Sequence, residues 1–108
     1  MPYLVFLTDD ASHDLEQLYD YIESHDALEK ADYVLEQIEE TFSSLSENPE
    51  RGAYPKELLI AGLREYREIY FNPYRIIYRV IAENVYVMVI ADGRRDMHTL
   101  LEHRLLQA

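Results

Sequence analysis

The residues best equipped for chemistry in this chain are arginines. The stretch "ADGRRDMHTLLEH", residues 91–103, sets Arg94 and Arg95 side by side where an apolar run ends, with His98 three residues on. Upstream, Arg64 and Arg67 lie three apart, and Arg75 and Arg79 lie four apart in a β-like run. A guanidinium presents a planar fork of donors that matches a phosphate or a carboxylate. Three readings follow: a grip on RNA phosphates, a grip on acidic side chains of a protein partner, or internal ion pairs with Glu65, Glu68, Glu83 and Asp92 close by in sequence.

Other chemical templates fail on residue type or spacing. The only glycines are Gly52, Gly62 and Gly93, too few and too scattered for a phosphate-cradling loop. His98 and His103 are five apart, which is not the i, i+4 histidine pair of a metal-binding helix. His13 and His25 have no partner at metal-ligand spacing. There is no cysteine, hence no disulfide, thiolate nucleophile or cysteine-based zinc site. Ser12, Ser24, Ser43, Ser44 and Ser46 lie in no nucleophile motif. No metal and no cofactor are expected.

Charge is divided along the chain. The total is −11. Residues 1–50 carry fourteen Asp/Glu against Lys30 alone, and residues 51–108 carry seven acids against nine bases, with all eight arginines in this second half. Nucleic-acid binders usually show a basic footprint, so any such footprint must be local and must work against the field of the rest. The length suits a single domain over 1–108 with one core. The N-terminal apolar run is five residues without a basic flank, too short for a signal peptide, and no segment approaches a membrane span. A cytoplasmic protein is expected.

Positioning these side chains falls to elements legible from periodicity. Tyr3 to Leu7 is β-branched and aromatic, a short strand. Ala11, Leu15, Leu18 and Ile22 mark one face of a helix over 10–24, capped by Thr8 or Asp9. Ala27, Ala31, Val34, Leu35, Ile38, Phe42 and Leu45 mark a second helix over 27–46. The short break between them predicts a helical hairpin. Their acids fall off the apolar stripes and read as a solvated face. "ENPERG" opens a loop through Pro55. Strands follow over Leu63–Phe71, Tyr74–Ile81 and Val85–Ala91, with turns at Asn72-Pro73 and Glu83-Asn84. A last helix begins near Asp96, its cap. The order β-α-α-β-β-β-α predicts an α+β fold: an antiparallel sheet with the hairpin on one face and leftover polar side chains on the other.

Residues 62–101, "GLREYREIYFNPYRIIYRVIAENVYVMVIADGRRDMHTLL", resemble the RelE/ParE superfamily of toxins from bacterial type II toxin–antitoxin operons. The resemblance rests on "PYRIIYRV", "VYVMVI" and "GRRD", with "ASHDLEQLYDYI" resembling the family's first helix and "ENPERG" the turn after its second. It implies a small cytosolic toxin neutralised by an antitoxin. RelE-like members cleave mRNA on the ribosome without metal; ParE-like members block DNA gyrase. Under the RelE reading the matching residues are Arg75 and Arg95, with Arg67 alone where the family carries a lysine pair, and His98 as an acid or base at unfamiliar spacing. The closing tyrosine of that pattern falls on Leu101. Metal-free RNA cleavage needs a base, an acid and cations on the phosphate. The sequence supplies the cations without a convincing acid–base pair. The ParE-like reading is therefore favoured: Arg64, Arg75, Arg79, Arg94 and Arg95 form a partner-binding face for antitoxin or gyrase, and no residue is catalytic. A non-toxic adaptor using the same face is the third reading.

Overall fold

A computed structural model describes residues 2–106. It contains strand β1 (Leu4–Leu7), helices α1 (Asp9–His25) and α2 (Leu28–Ser43), a 3-10 turn (Ser44–Ser46) and helix α3 (Lys56–Ile60). Strands β2 (Tyr66–Phe71), β3 (Tyr74–Ile81) and β4 (Asn84–Asp92) follow, then helix α4 (Met97–Leu101), which widens into a π-helical turn (Glu102–Leu106).

The hairpin forms as its stripes predict. Thr8 caps α1 by accepting from the Ala11 amide, and Asp9 and Asp10 sit in the first turn, where the helix dipole favours acids. Ile22, Ala31, Val34, Ile38, Phe42 and Leu45 are buried against Ile69, Ile76, Tyr78, Val85, Val87 and Ile90 of the sheet, with Leu15 and Leu18 packed beside them. The acids at 16, 20, 23, 29, 36, 39 and 40 are exposed, as a solvated face requires.

The sheet order is β1-β4-β3-β2. The β2–β3 and β3–β4 pairs are antiparallel, as expected of residues 63–91, and β1 joins them by pairing parallel with β4, so the four-stranded sheet is mixed. The hairpin is the cause. It returns the chain to the start of β1, where the Ser46 carbonyl accepts from the Tyr3 amide at 2.8 Å. From there β2 sets out in the direction of β1, and two tight turns give β4 the same direction again. The second turn is Ala82-Glu83, one residue earlier than expected, since Ile81 pairs with Asn84. The β2 strand starts at Tyr66, three residues later than expected.

The outer sheet face is not simply polar. Helix α3, absent from the sequence reading, and α4 cover part of it, burying Leu58, Met97 and Leu101 on Tyr66, Ile77, Val89 and Ala91 as a second core. A bulge makes β4 serve both cores. The register passes from Tyr78↔Val87 to Ile77↔Val89, leaving Met88 unpaired and reversing which face alternate residues take. Val85, Val87 and Ile90 thus face the hairpin while Val89 and Ala91 face α3 and α4. That is why the strand reads as almost continuously apolar.

Candidate partner-binding site

Arg94 and Arg95 follow β4 on the side of the helical hairpin. They line a groove of about 470 Å³ between the C-terminal half of α1, the start of α2 and the ends of β3 and β4. Its apolar lining is Leu18, Ile22, Tyr74, Ile90 and Ala91. Its polar rim sets Lys30, Arg94 and Arg95 against Asp14, Asp26 and Asp92, beside Tyr21 and His25. The Tyr21 and His25 rings stack at 4.0 Å between centroids.

The cations of this rim differ in what they hold. Lys30 is paired with Asp26 at 2.8 Å. Arg94 forks onto Asp92 through Nε and Nη2, which holds the Asp92 carboxyl below its usual range. Arg95 is exposed, and its guanidinium makes no hydrogen bond or ion pair among the described residues. It is therefore the cation of the pair open to an incoming anion. Asp96, the next residue, caps α4 through the Thr99 amide and hydroxyl, which lowers its own carboxyl.

One wall of the groove solves a backbone problem. The β1 strand is four residues long against nine in β4, so β4 has an uncovered edge beyond Val87. There the Ile90 amide donates to Asp14 Oδ2 and the Met88 carbonyl accepts from Arg104 Nη2. Arg104 also forks onto Asp14, at 2.9 and 3.1 Å. This half-buried pair stands in for a missing strand and ties the C-terminal turn to α1. Sequence spacing gave no sign of it, because the two residues are ninety positions apart.

Arg75 is a correction. Expected on an open face for a phosphate or a partner, it is buried on the outer side of β3. It forks onto Glu57 of α3 at 2.8 and 2.9 Å, and its Nε donates to Glu68 of β2 at 2.7 Å. Glu68 in turn accepts from the Tyr70 hydroxyl. The Arg75 guanidinium pulls the Glu57 carboxyl down to about 2, and the two carboxylates raise Arg75 further above its already high value. Gly93 belongs to this arrangement: a Cβ there would lie 2.8 Å from Arg75 Cδ, so the first residue of "GRRD" must be glycine for the turn to rest on the buried side chain. The internal ion pair, the plainest of the three sequence readings, is the one Arg75 follows.

The remaining expected residues occupy separate surroundings. Arg67 donates to the carbonyls of Glu50 and Gly52 and to the Tyr54 hydroxyl, fastening the "ENPERG" loop to β2. Arg64 and Arg79 lie near it at the opposite end of the sheet from Arg94 and Arg95, in a pocket with Glu50 and Glu65. His98 points outward from α4 with Glu102 at 3.6 Å. Arg67, Arg75, Arg95 and His98, the set that RNA cleavage would need together, thus have four different environments. Nor do Arg64, Arg75, Arg79, Arg94 and Arg95 form one face. Among the described residues no three His, Asp or Glu side chains are grouped as a metal ion would require.

With this geometry in view, the comparisons with known proteins are specific. The family model described as ParE toxin of the type II toxin–antitoxin system, parDE, matches residues 5–97. No curated protein matches the chain. Among solved structures, the fold is similar to a chain of the chromosomal ParDE system from P. aeruginosa, with a TM-score of 0.70 and 21% identity over 83% of this chain and 95% of that one. It is similar also to a chain of the RelBE2 toxin–antitoxin complex from Mycobacterium tuberculosis, with a TM-score of 0.62 and 22% identity over 85% and 99%. A free-state mutant of E. coli RelE aligns with a TM-score of 0.61 and 17% identity over 93% of both chains. These likenesses establish the RelE/ParE-like fold. The match across most of the sequence places the chain in the ParE toxin family of type II toxin–antitoxin systems.

Proposed function

We propose that this chain is a toxin that acts by binding, with DNA gyrase as its target and a cognate antitoxin as its neutralising partner in the cytoplasm. The observation that carries the reading is the state of Arg75. Two carboxylates already satisfy its guanidinium, so it is not free to receive a scissile phosphate. With Arg67 fastened at the opposite end of the sheet from Arg95 and His98 turned outward, no base, acid and phosphate-holding cation converge among the described residues. The likeness to chains of the chromosomal ParDE system and of the RelBE2 toxin–antitoxin complex supports an antitoxin as partner. The groove beside "GRRD" suits an acidic segment of such a partner, with an apolar side chain over Leu18, Ile22 and Ile90 and a carboxylate on Arg95.

A paired assay tests the reading. Purified chain is added to a gyrase supercoiling reaction and, separately, to a translating extract whose mRNA ends are mapped. Loss of supercoiling with intact mRNA is expected. Codon-specific cuts that vanish in Arg95→Ala would establish the RNase alternative instead. Normal growth on expression, with neither effect, would establish the adaptor.

A further inference from the structure

We infer that the pocket at the base of the sheet, formed by Arg64, Arg67 and Arg79, is a site for the phosphodiester backbone of a nucleic acid, read without regard to sequence. The pocket is about 350 Å³ and lies at the start of β2 and the end of β3, the opposite end of the sheet from "GRRD". Three guanidiniums line it against two carboxylates, Glu50 and Glu65, so its local balance is positive in a chain whose total is −11.

What each cation holds makes the charge available. Arg67 bonds only neutral acceptors, the Glu50 and Gly52 carbonyls and the Tyr54 hydroxyl, which fix its position without cancelling its charge. Arg64 has no hydrogen bond or ion pair among the described residues and lies 5.9 Å from the Tyr54 ring centroid. Arg79 reaches Glu65 at 3.9 Å, the loose end of an ion pair, with both side chains substantially exposed. Tyr54 lies under Arg67 at 4.6 Å and Tyr66 under Arg79 at 6.0 Å. Rings beneath guanidiniums hold the forks in place before a ligand arrives, which lowers the ordering cost of binding.

The chemistry selects phosphate over base. The Tyr54 and Tyr66 rings are occupied by arginines, and Tyr3, the third ring at the pocket, is part-buried against the first core, so the aromatics serve the cations and the core before any base. Contacts to backbone phosphates position a strand and carry no sequence information. Two of the cations stand on an open rim, a form that suits a chain crossing the site better than a terminal phosphate enclosed on all sides. The site is local: the acids of the hairpin keep the rest of the molecule from spreading along a nucleic acid, so only a few phosphates are engaged.

The test is fluorescence anisotropy of the full chain with a labelled twelve-residue oligothymidylate at several salt concentrations, with inorganic pyrophosphate as competitor. Single substitutions Arg64→Ala and Arg79→Ala are each expected to weaken binding roughly tenfold and to flatten the salt slope by about 0.7. Glu65→Gln, which removes a competing carboxylate, is expected to tighten it. Lys56→Ala, an exposed cation outside the pocket, is the charge-matched control and is expected to leave binding unchanged. Melting curves accompany each variant, and the Glu65→Gln gain cannot come from unfolding. Absence of oligonucleotide binding at low salt, equal effects of Lys56→Ala and Arg79→Ala, or binding of pyrophosphate alone would overturn the inference, the last by moving the site to small phosphates. Retention by an acidic peptide in place of the oligonucleotide would reassign the pocket to a protein.

Discussion

At the scale of single residues, the two arginines of "GRRD" sit at adjacent positions and have different tasks. Arg94 is engaged by Asp92, an exposed pair of the kind that solvent and salt screen and that contributes little to stability. Arg95 is unpaired. Arg94→Ala with Arg95→Ala is therefore expected to leave the melting temperature nearly unchanged while weakening antitoxin binding, and Arg95→Ala alone is expected to account for most of that loss. Calorimetric titration at two salt concentrations checks both points, since screening weakens the wild-type complex more than the double variant. Arg75 behaves in the opposite way. Replacing it with Met strands the buried Glu68 carboxylate and the part-buried Glu57, a loss of the order of 3–5 kcal/mol in chemical denaturation, and adding Glu57→Gln with Glu68→Gln is expected to recover much of it. Glu57 also sets a pH dependence. Its folded carboxyl titrates at about 2, below the ~4.3 of an unfolded chain, so the unfolded state takes up the proton first as pH falls. The stabilisation is complete above about pH 5 and is lost progressively down through about pH 2. A Glu57→Gln variant should show a flatter acid limb over that window.

At the scale of elements, Tyr78 shows how a strand holds a loop. Its ring is wholly buried in the first core, while its hydroxyl donates to the Pro49 carbonyl and accepts from the Gly52 amide. A Cβ on Gly52 would stand 2.6 Å from that hydroxyl, so the glycine of "ENPERG" is fixed by the tyrosine beneath it. Tyr78→Phe leaves both loop groups without this partner, and a loss of about 1–3 kcal/mol is expected in urea titrations. The hairpin and the three meander strands were legible in the sequence because each buries one periodic face. Helix α3 was not. Five residues after Pro55 are too few for a helical period to register, and the short helix is stabilised by tertiary contacts, Leu58 in the second core and Glu57 on Arg75. The parallel pairing of β1 was equally hidden, since alternation gives a strand its faces and not its direction. Missing α3 also misplaced Arg75: without Glu57 overhead, an arginine on the outer face reads as open. The groove beside "GRRD" was half legible, for Arg94 and Arg95 stood out by type, whereas Tyr21, His25 and Lys30 join them only through the fold.

At the scale of the whole molecule, the asymmetry of charge has a mechanical consequence. The hairpin lays its acids on one outer surface, and α2 alone places Glu36, Glu39 and Glu40 at helical neighbour positions without a cation among them. Like charges three and four apart on a helix repel, and a strongly charged compact state repels itself more than an expanded one. The core beneath, with Ile38 wholly buried and Val34 and Phe42 nearly so, holds the helix down against this repulsion. Replacing the three glutamates with glutamine leaves that core untouched. The melting temperature is then expected to rise by about 2–4 °C at low ionic strength. The gain should fade as salt is raised, because a Debye length of about 8 Å at physiological ionic strength already screens much of the repulsion. Melting curves of wild type and triple variant across a salt series decide the matter. A rise that persists at 1 M salt would assign the effect to helix propensity or packing, and no rise at low salt would show that the acidic surface costs the fold nothing.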